Sequence, residues 1–152
     1  MAGDDREALR ALVHASARHL DDGAYDSFAD LFAADGRYRV EVNAPELPRT
    51  MVWMELDRDQ IRERCAGIDR HEWRIDQQTR LVSVDRVALA EGRATTSSSV
   101  AIYRTDEDGR TACYAVARYE DDWRRAGGCW RLAERVVALR TRLLAIPSPL
   151  PL

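Results

Sequence analysis

The second half of the chain constrains its fold more than any other feature. From residue 74 onward, four long runs of alternating or apolar character are separated by three short stretches of turn chemistry: Glu91–Gly92, Asp106–Glu107–Asp108–Gly109 and Ala126–Gly127–Gly128. Gly, Asp and Asn accept the backbone angles that tight hairpins require, so these separators predict antiparallel strands near 74–89, 93–105, 111–124 and 129–142. Such a meander has one face to bury, and what precedes it is helical. Residues 5–21 place Leu9, Leu12, Val13, Ser16 and Leu20 on one face at helical spacing. Gly23 follows as a helix stop.

The connecting stretch, Leu20 to Val42, carries a second short helix over 27–33, with Asp26 as its N-cap and Phe28, Leu31 and Phe32 as its apolar residues. Asp35–Gly36 turns the chain into a strand over 37–43. There Tyr38, Val40 and Val42 face inward and Arg37, Arg39 and Glu41 outward. Pro45 and Pro48 make 44–49 a loop, residues 51–55 read as a short strand, and Asp57 caps a third helix over 58–66 that stops at Gly67. Helices first and strands last is an α+β order: three N-terminal helices on a strongly bent antiparallel sheet. The 152 residues make one domain, 1–152, with irregular tails at 1–4 and 145–152. The second tail, PSPLPL, carries Pro147, Pro149 and Pro151, each lacking a donor.

Charge and cysteine usage exclude several classes. All 23 basic residues are Arg, interleaved with acidic residues, and the net charge is −3. Nucleic-acid binding calls for a basic face of one sign, so none is expected. No apolar run approaches the ~20 residues of a membrane helix, and the first residues are acidic and polar. Cys65, Cys113 and Cys129 are widely spaced, which suits reduced thiols and a cytoplasmic location. His14, His19 and His71 form no ligand pair, since His14 and His19 lie roughly 140° apart around a helix. No metal or cofactor is expected.

Acid–base chemistry by polar groups in an apolar pocket remains. His19, at the edge of the first helix's apolar stripe, is either a structural histidine or a general acid or base. Asp21 stands at the negative end of the helix dipole and calls for an Arg partner, or serves as a base. Tyr38 is a core tyrosine or an oxyanion donor. Arg80 would balance carboxylates or bind an anionic group. Glu134 alternates with Trp130, Leu132, Val136 and Ala138. It is thus a pocket carboxylate, a partner for Arg80 or Arg118, or a residue turned to solvent by a bulge. Trp53, Met54 and Trp73 are apolar wall or plain core.

The order of elements, and LDDGAYDSFADLFAADGRYRV in particular, resembles the NTF2-like (SnoaL-like) superfamily. Within it the chain looks most like the small (β) subunit of aromatic-ring-hydroxylating dioxygenases. Glu7–Ala8 with Leu20–Asp21, Arg80–Leu81–Val82–Ser83, and the stretch from Trp130 to Leu152 carry that resemblance. It implies an α+β cone, assembly as a homodimer or homotrimer through the sheet, and activities that range from none to isomerases, dehydratases and cyclases. Ser16 and Val40 stand where ketosteroid isomerases have their Tyr and Asp, and Leu20–Asp21 and Arg80 stand where scytalone dehydratases have Tyr-Asp and His. Two functions follow as expectations. One is a cofactor-free enzyme of dehydratase, isomerase or cyclase type acting on a small hydrophobic, polycyclic or aromatic metabolite. The other is a non-catalytic β subunit partnered with a Rieske-type large subunit. An open void lined by the inward polar residues would favour the first, and a filled interior the second.

Overall fold

The structure is a computed structural model that describes residues 2–67, 77–148 and 150–152. Helix α1 spans Ala2–Asp21, α2 Tyr25–Asp30 and α3 Arg58–Ala66. The strands are β1 Phe32–Val42, β2 Met51–Asp57, β3 Gln77–Ala90, β4 Arg93–Thr105, β5 Thr111–Ala126 and β6 Cys129–Leu139. They form one sheet in the order β2-β1-β6-β5-β4-β3. This is the expected α+β cone, and the three hairpins of the meander fall at the turn stretches named from the sequence. One pairing is not antiparallel: β1 lies parallel to β6, which makes the sheet mixed.

Local sequence accounts for the elements and for three shifts from expectation. Helix α1 begins at Ala2, so residues 2–4 are helical, with Asp4 and Asp5 at the positive end of its dipole. It buries Leu9, Val13, Ser16, Ala17 and Leu20. Gly23, with φ of 71°, then lets the chain reverse where a Cβ would be strained. Helix α2 begins two residues early: Asp26 lies in its first turn, and Ala24 holds the cap position without a side-chain bond. At α3 the capping box is complete, with Asp57 accepting from the Gln60 N–H and Gln60 accepting from the Asp57 N–H.

Strand β1 starts at Phe32, inside the stretch expected to be helical. Its pairing with β6 skips from Phe32 to Arg37, and Gly36 occupies the skip. A Cβ there would lie 2.8 Å from the Leu132 carbonyl oxygen, so only glycine permits the approach. Phe28, Phe32 and Tyr38 meet edge to face, with centroids 5.4 to 6.4 Å apart, and close this end of the core.

Single skipped residues in β2, β3, β5 and β6 (Trp53, Asp85, Tyr114 and Ala133) supply the bends of a cone. The β3 edge is covered by α1: Arg10 donates to the Val84 carbonyl at 3.0 Å and Arg6 donates to that of Val87.

Candidate functional site

The interior of the cone is organised around a charged pair that the sequence reading did not name. Asp121 on β5 and Arg135 on β6 are register partners, and both side chains are fully buried. Arg135 donates from Nε and Nη2 to the two Asp121 oxygens at 2.7 and 2.8 Å, and from Nη1 to Ser16 Oγ at 2.8 Å. Ser16 in turn donates to the Val13 carbonyl, Thr96 donates to Asp121, and Trp123 donates to Thr96. The guanidinium carbon sits 4.2 Å from the Tyr119 ring centre. Burial disfavours the Arg135 charge, but the Asp121 carboxylate, by charge and by hydrogen bonds, outweighs it and raises the pKa. The network ties α1 to three strands.

Arg135, rather than Glu134, faces inward because of a bulge. Asp122 pairs with Glu134 and Trp123 with Leu132, so Ala133 has no partner on β5 and the alternation of β6 reverses there. Glu134 is therefore on the outer face, 3.7 Å from Arg39, and an inward carboxylate at that position is corrected. A sequence signal for the true network did exist. Ser16 lies on the apolar face of α1, and Asp121 alternates with Tyr119 and Trp123 on β5. Polar residues at core positions on two elements call for a third to satisfy them.

Asp21 and Arg80 come together. Arg80 donates from Nη1 to Asp21 at 2.7 Å, and its backbone N–H donates to the other Asp21 oxygen at 3.0 Å. Nη2 of Arg80 reaches Gln78 and the Pro151 carbonyl, both at 3.1 Å. The pair thus answers the unfavourable helix end and clasps the last residues of the sequence.

That last segment is buried, which its proline content hid. Leu150 and Leu152 are 4% and 3% exposed. The Leu152 N–H donates to the Tyr38 hydroxyl at 2.6 Å, and the Tyr119 hydroxyl donates to the Leu152 carbonyl at 3.0 Å. Burial, and secondarily Tyr119, push the Tyr38 phenol well above its ordinary range, against the opposing pull of Leu152, Arg80 and Arg135.

The remaining candidates stand apart from this cluster. His19 is half-buried, and its side chain makes no hydrogen bond or ion pair with the described residues. Trp53 and Met54 line an apolar pocket of about 310 Å3 with Val40, Leu150 and Leu152. Trp73 and His71 lie outside the described residues. Among the described residues, no group of three or more His, Cys, Asp or Glu is placed to hold a metal ion, and no helix is long and apolar enough to cross a membrane.

Known proteins match along nearly the whole chain. The β subunit of 2-aminobenzenesulfonate 2,3-dioxygenase from an Alcaligenes species is 28% identical over 97% of this chain and 99% of its own length. A crystal structure from Novosphingobium aromaticivorans, described as the β subunit of an aromatic-ring-hydroxylating dioxygenase, superposes with a TM-score of 0.84 at 21% identity, covering 95% of this chain and 94% of that one. One described as a scytalone dehydratase, from the same organism, gives 0.64 at 20% identity over 90% and 85% of the two chains. At these identities the structures establish the fold. The family model for the SnoaL-like domain matches residues 2–136, and the chain belongs to that family.

Proposed function

We propose that this chain is a non-catalytic β subunit of an aromatic-ring-hydroxylating dioxygenase, held against a Rieske-type large subunit that carries the redox centres. The observation that carries this reading is the occupied interior. Tyr38 and Arg80 are bound to the chain's own residues 151–152, Asp21 is committed to Arg80, and Asp121 to Arg135. These inward polar groups are committed to structural bonds and are not free to move a proton on a substrate. The match to a dioxygenase β subunit along both full lengths supports the same reading.

Tagged chain, co-expressed with the large subunit of such a dioxygenase encoded beside it, tests the proposal by size-exclusion chromatography. A co-eluting complex with iron–sulfur absorbance is expected. A chain that elutes alone would overturn it.

A cofactor-free cavity enzyme is the second reading, and one observation favours it. The pocket beside Trp53 and Met54 is apolar and within the size range of small-ligand sites. His19, half-buried and unengaged, would then be the proton-transfer group. Turnover of an aromatic substrate by the isolated chain, lost in His19→Ala, is the result that would establish it.

A further inference from the structure

Among the described residues, seven large apolar side chains are exposed, and five of them fall on two segments: Met51, Val52 and Trp53 at the start of β2, and Leu143 and Ile146 after β6. Single exposed apolar residues are ordinary, but a cluster marks a surface that another molecule covers. The two segments adjoin. Arg142 pairs with Glu46 in the loop before β2, and Trp53 and Leu143 border the same opening. The rim they form is firmly held. Arg140 and Thr141 donate from their N–H groups to the Val116 carbonyl, and the Tyr114 hydroxyl donates to the Ile146 carbonyl. Leu143, 90% exposed, thus projects from a segment anchored on both sides of it.

The charges on the same stretches are mostly of one sign. Residues 43–53 and 140–148 carry Arg49, Arg140 and Arg142 against a single Glu46, on a chain whose net charge is −3. All four side chains are exposed, and Arg49 and Arg140 make no ion pair with the described residues. A two-fold contact between copies would set this rim against itself and bring arginine to arginine. The rim is also concave, with an apolar opening of about 310 Å3 between Trp53 and Leu143. A flat lipid surface does not fill such an opening, whereas an apolar side chain projecting from another protein does.

We propose that the Trp53–Leu143 rim is the surface that receives the large subunit, through an apolar side chain seated between Trp53 and Leu143 and flanked by carboxylates that meet Arg49 and Arg140. This inference rests on the β-subunit reading and adds to it the place and the chemistry of the contact. Leu81 and Val116, the other two exposed apolar side chains, lie on the outer sheet face, so contact between copies there does not compete with the rim.

The test is biolayer interferometry of the purified large subunit, encoded beside this chain, on the immobilised parent chain and its variants. Leu143→Asp is expected to weaken binding at least about tenfold, mainly through faster dissociation, as loss of an anchoring contact does. Arg49→Glu/Arg140→Glu is expected to slow association at least about fivefold and to flatten its dependence on salt. Glu91→Arg, in the turn between β3 and β4 at the far end of the sheet, should leave both rates within about twofold of the parent. All of these positions are exposed, so circular dichroism of each variant should match the parent. A parent chain that does not bind overturns the β-subunit reading and the rim with it. Binding by the parent that the rim variants leave unchanged overturns the rim alone. So does sedimentation of the parent with phosphatidylglycerol vesicles that Leu143→Asp abolishes, which would assign the rim to a bilayer. A fall in the mass of the isolated chain with Leu143→Asp, by light scattering, would assign it to a second copy and overturn the proposal equally.

Discussion

Asp121 and Arg135 face each other across β5 and β6 with both carboxylate oxygens bonded to the guanidinium and no exposure of either side chain. Removing one member of such a pair leaves an uncompensated buried charge. Asp121→Ala should destabilise the fold by about 3–5 kcal/mol. The double replacement Asp121→Leu/Arg135→Met should lose less than either single change, because no lone charge remains. Urea unfolding of the three variants checks this, and additive losses would contradict it.

Much of the architecture is legible in the sequence because turn residues and alternation are local signals. The three hairpins follow from their Gly and Asp separators, and the Asp57–Gln60 capping box is readable as two residues three apart. What escaped depends on single skipped residues and on long-range contact. One unpaired residue, Ala133, exchanges Glu134 for Arg135 as the inward charge. The proline-bearing end segment carries no periodicity, yet tertiary contacts bury Leu150 and Leu152. Asp21 was legible as a helix-end carboxylate needing an Arg; that the Arg would be Arg80, 59 positions away, was not.

Asp21→Asn removes the ionic half of the Arg80 clasp while preserving its shape. Hydrogen bonds to charged groups contribute about 1.5–3 kcal/mol, so a loss of that size is expected in thermal unfolding. An unchanged midpoint would mean that Gln78 and Pro151 hold Arg80 unaided.

Alkaline pH should weaken the fold through two buried acids. Burial, with Asp26 adding and Arg64 opposing, pushes the Cys65 thiol from 9.0 up to about 11. Tyr38 is likewise held above its ordinary 10.0, first by burial. In both cases the folded state keeps a proton that the unfolded chain releases. Their contribution is therefore complete below pH 9 and falls as pH rises, from 9.0 to about 11 for Cys65 and from 10.0 upward for Tyr38. Urea midpoints measured from pH 8 to 11 should decline. At pH 8, iodoacetamide should label the exposed Cys113 and Cys129 and spare the buried Cys65. Rapid labelling of Cys65 would contradict its placement.

On the outer sheet face, Leu81, Ala101 and Val116 are register neighbours across β3, β4 and β5, with Leu81 58% and Val116 43% exposed. An apolar row on the outside of a sheet is best covered by another chain. Light scattering of the isolated protein should report a dimer or trimer, and Leu81→Arg/Val116→Glu should shift it toward monomer without loss of helix or strand content. A parent monomer at micromolar concentration would remove this face as an interface.

The claim that this chain assembles but does not catalyse is tested most directly by reconstituting the dioxygenase with its large subunit and comparing parent chain with His19→Ala. His19 is the one inward-side candidate left without a partner among the described residues, so it alone could serve proton transfer without dismantling the fold. Equal rates of ring hydroxylation are expected for the two complexes, with no turnover by the parent chain alone. A fall of about 10²-fold or more with His19→Ala, or turnover by the isolated chain, would contradict it.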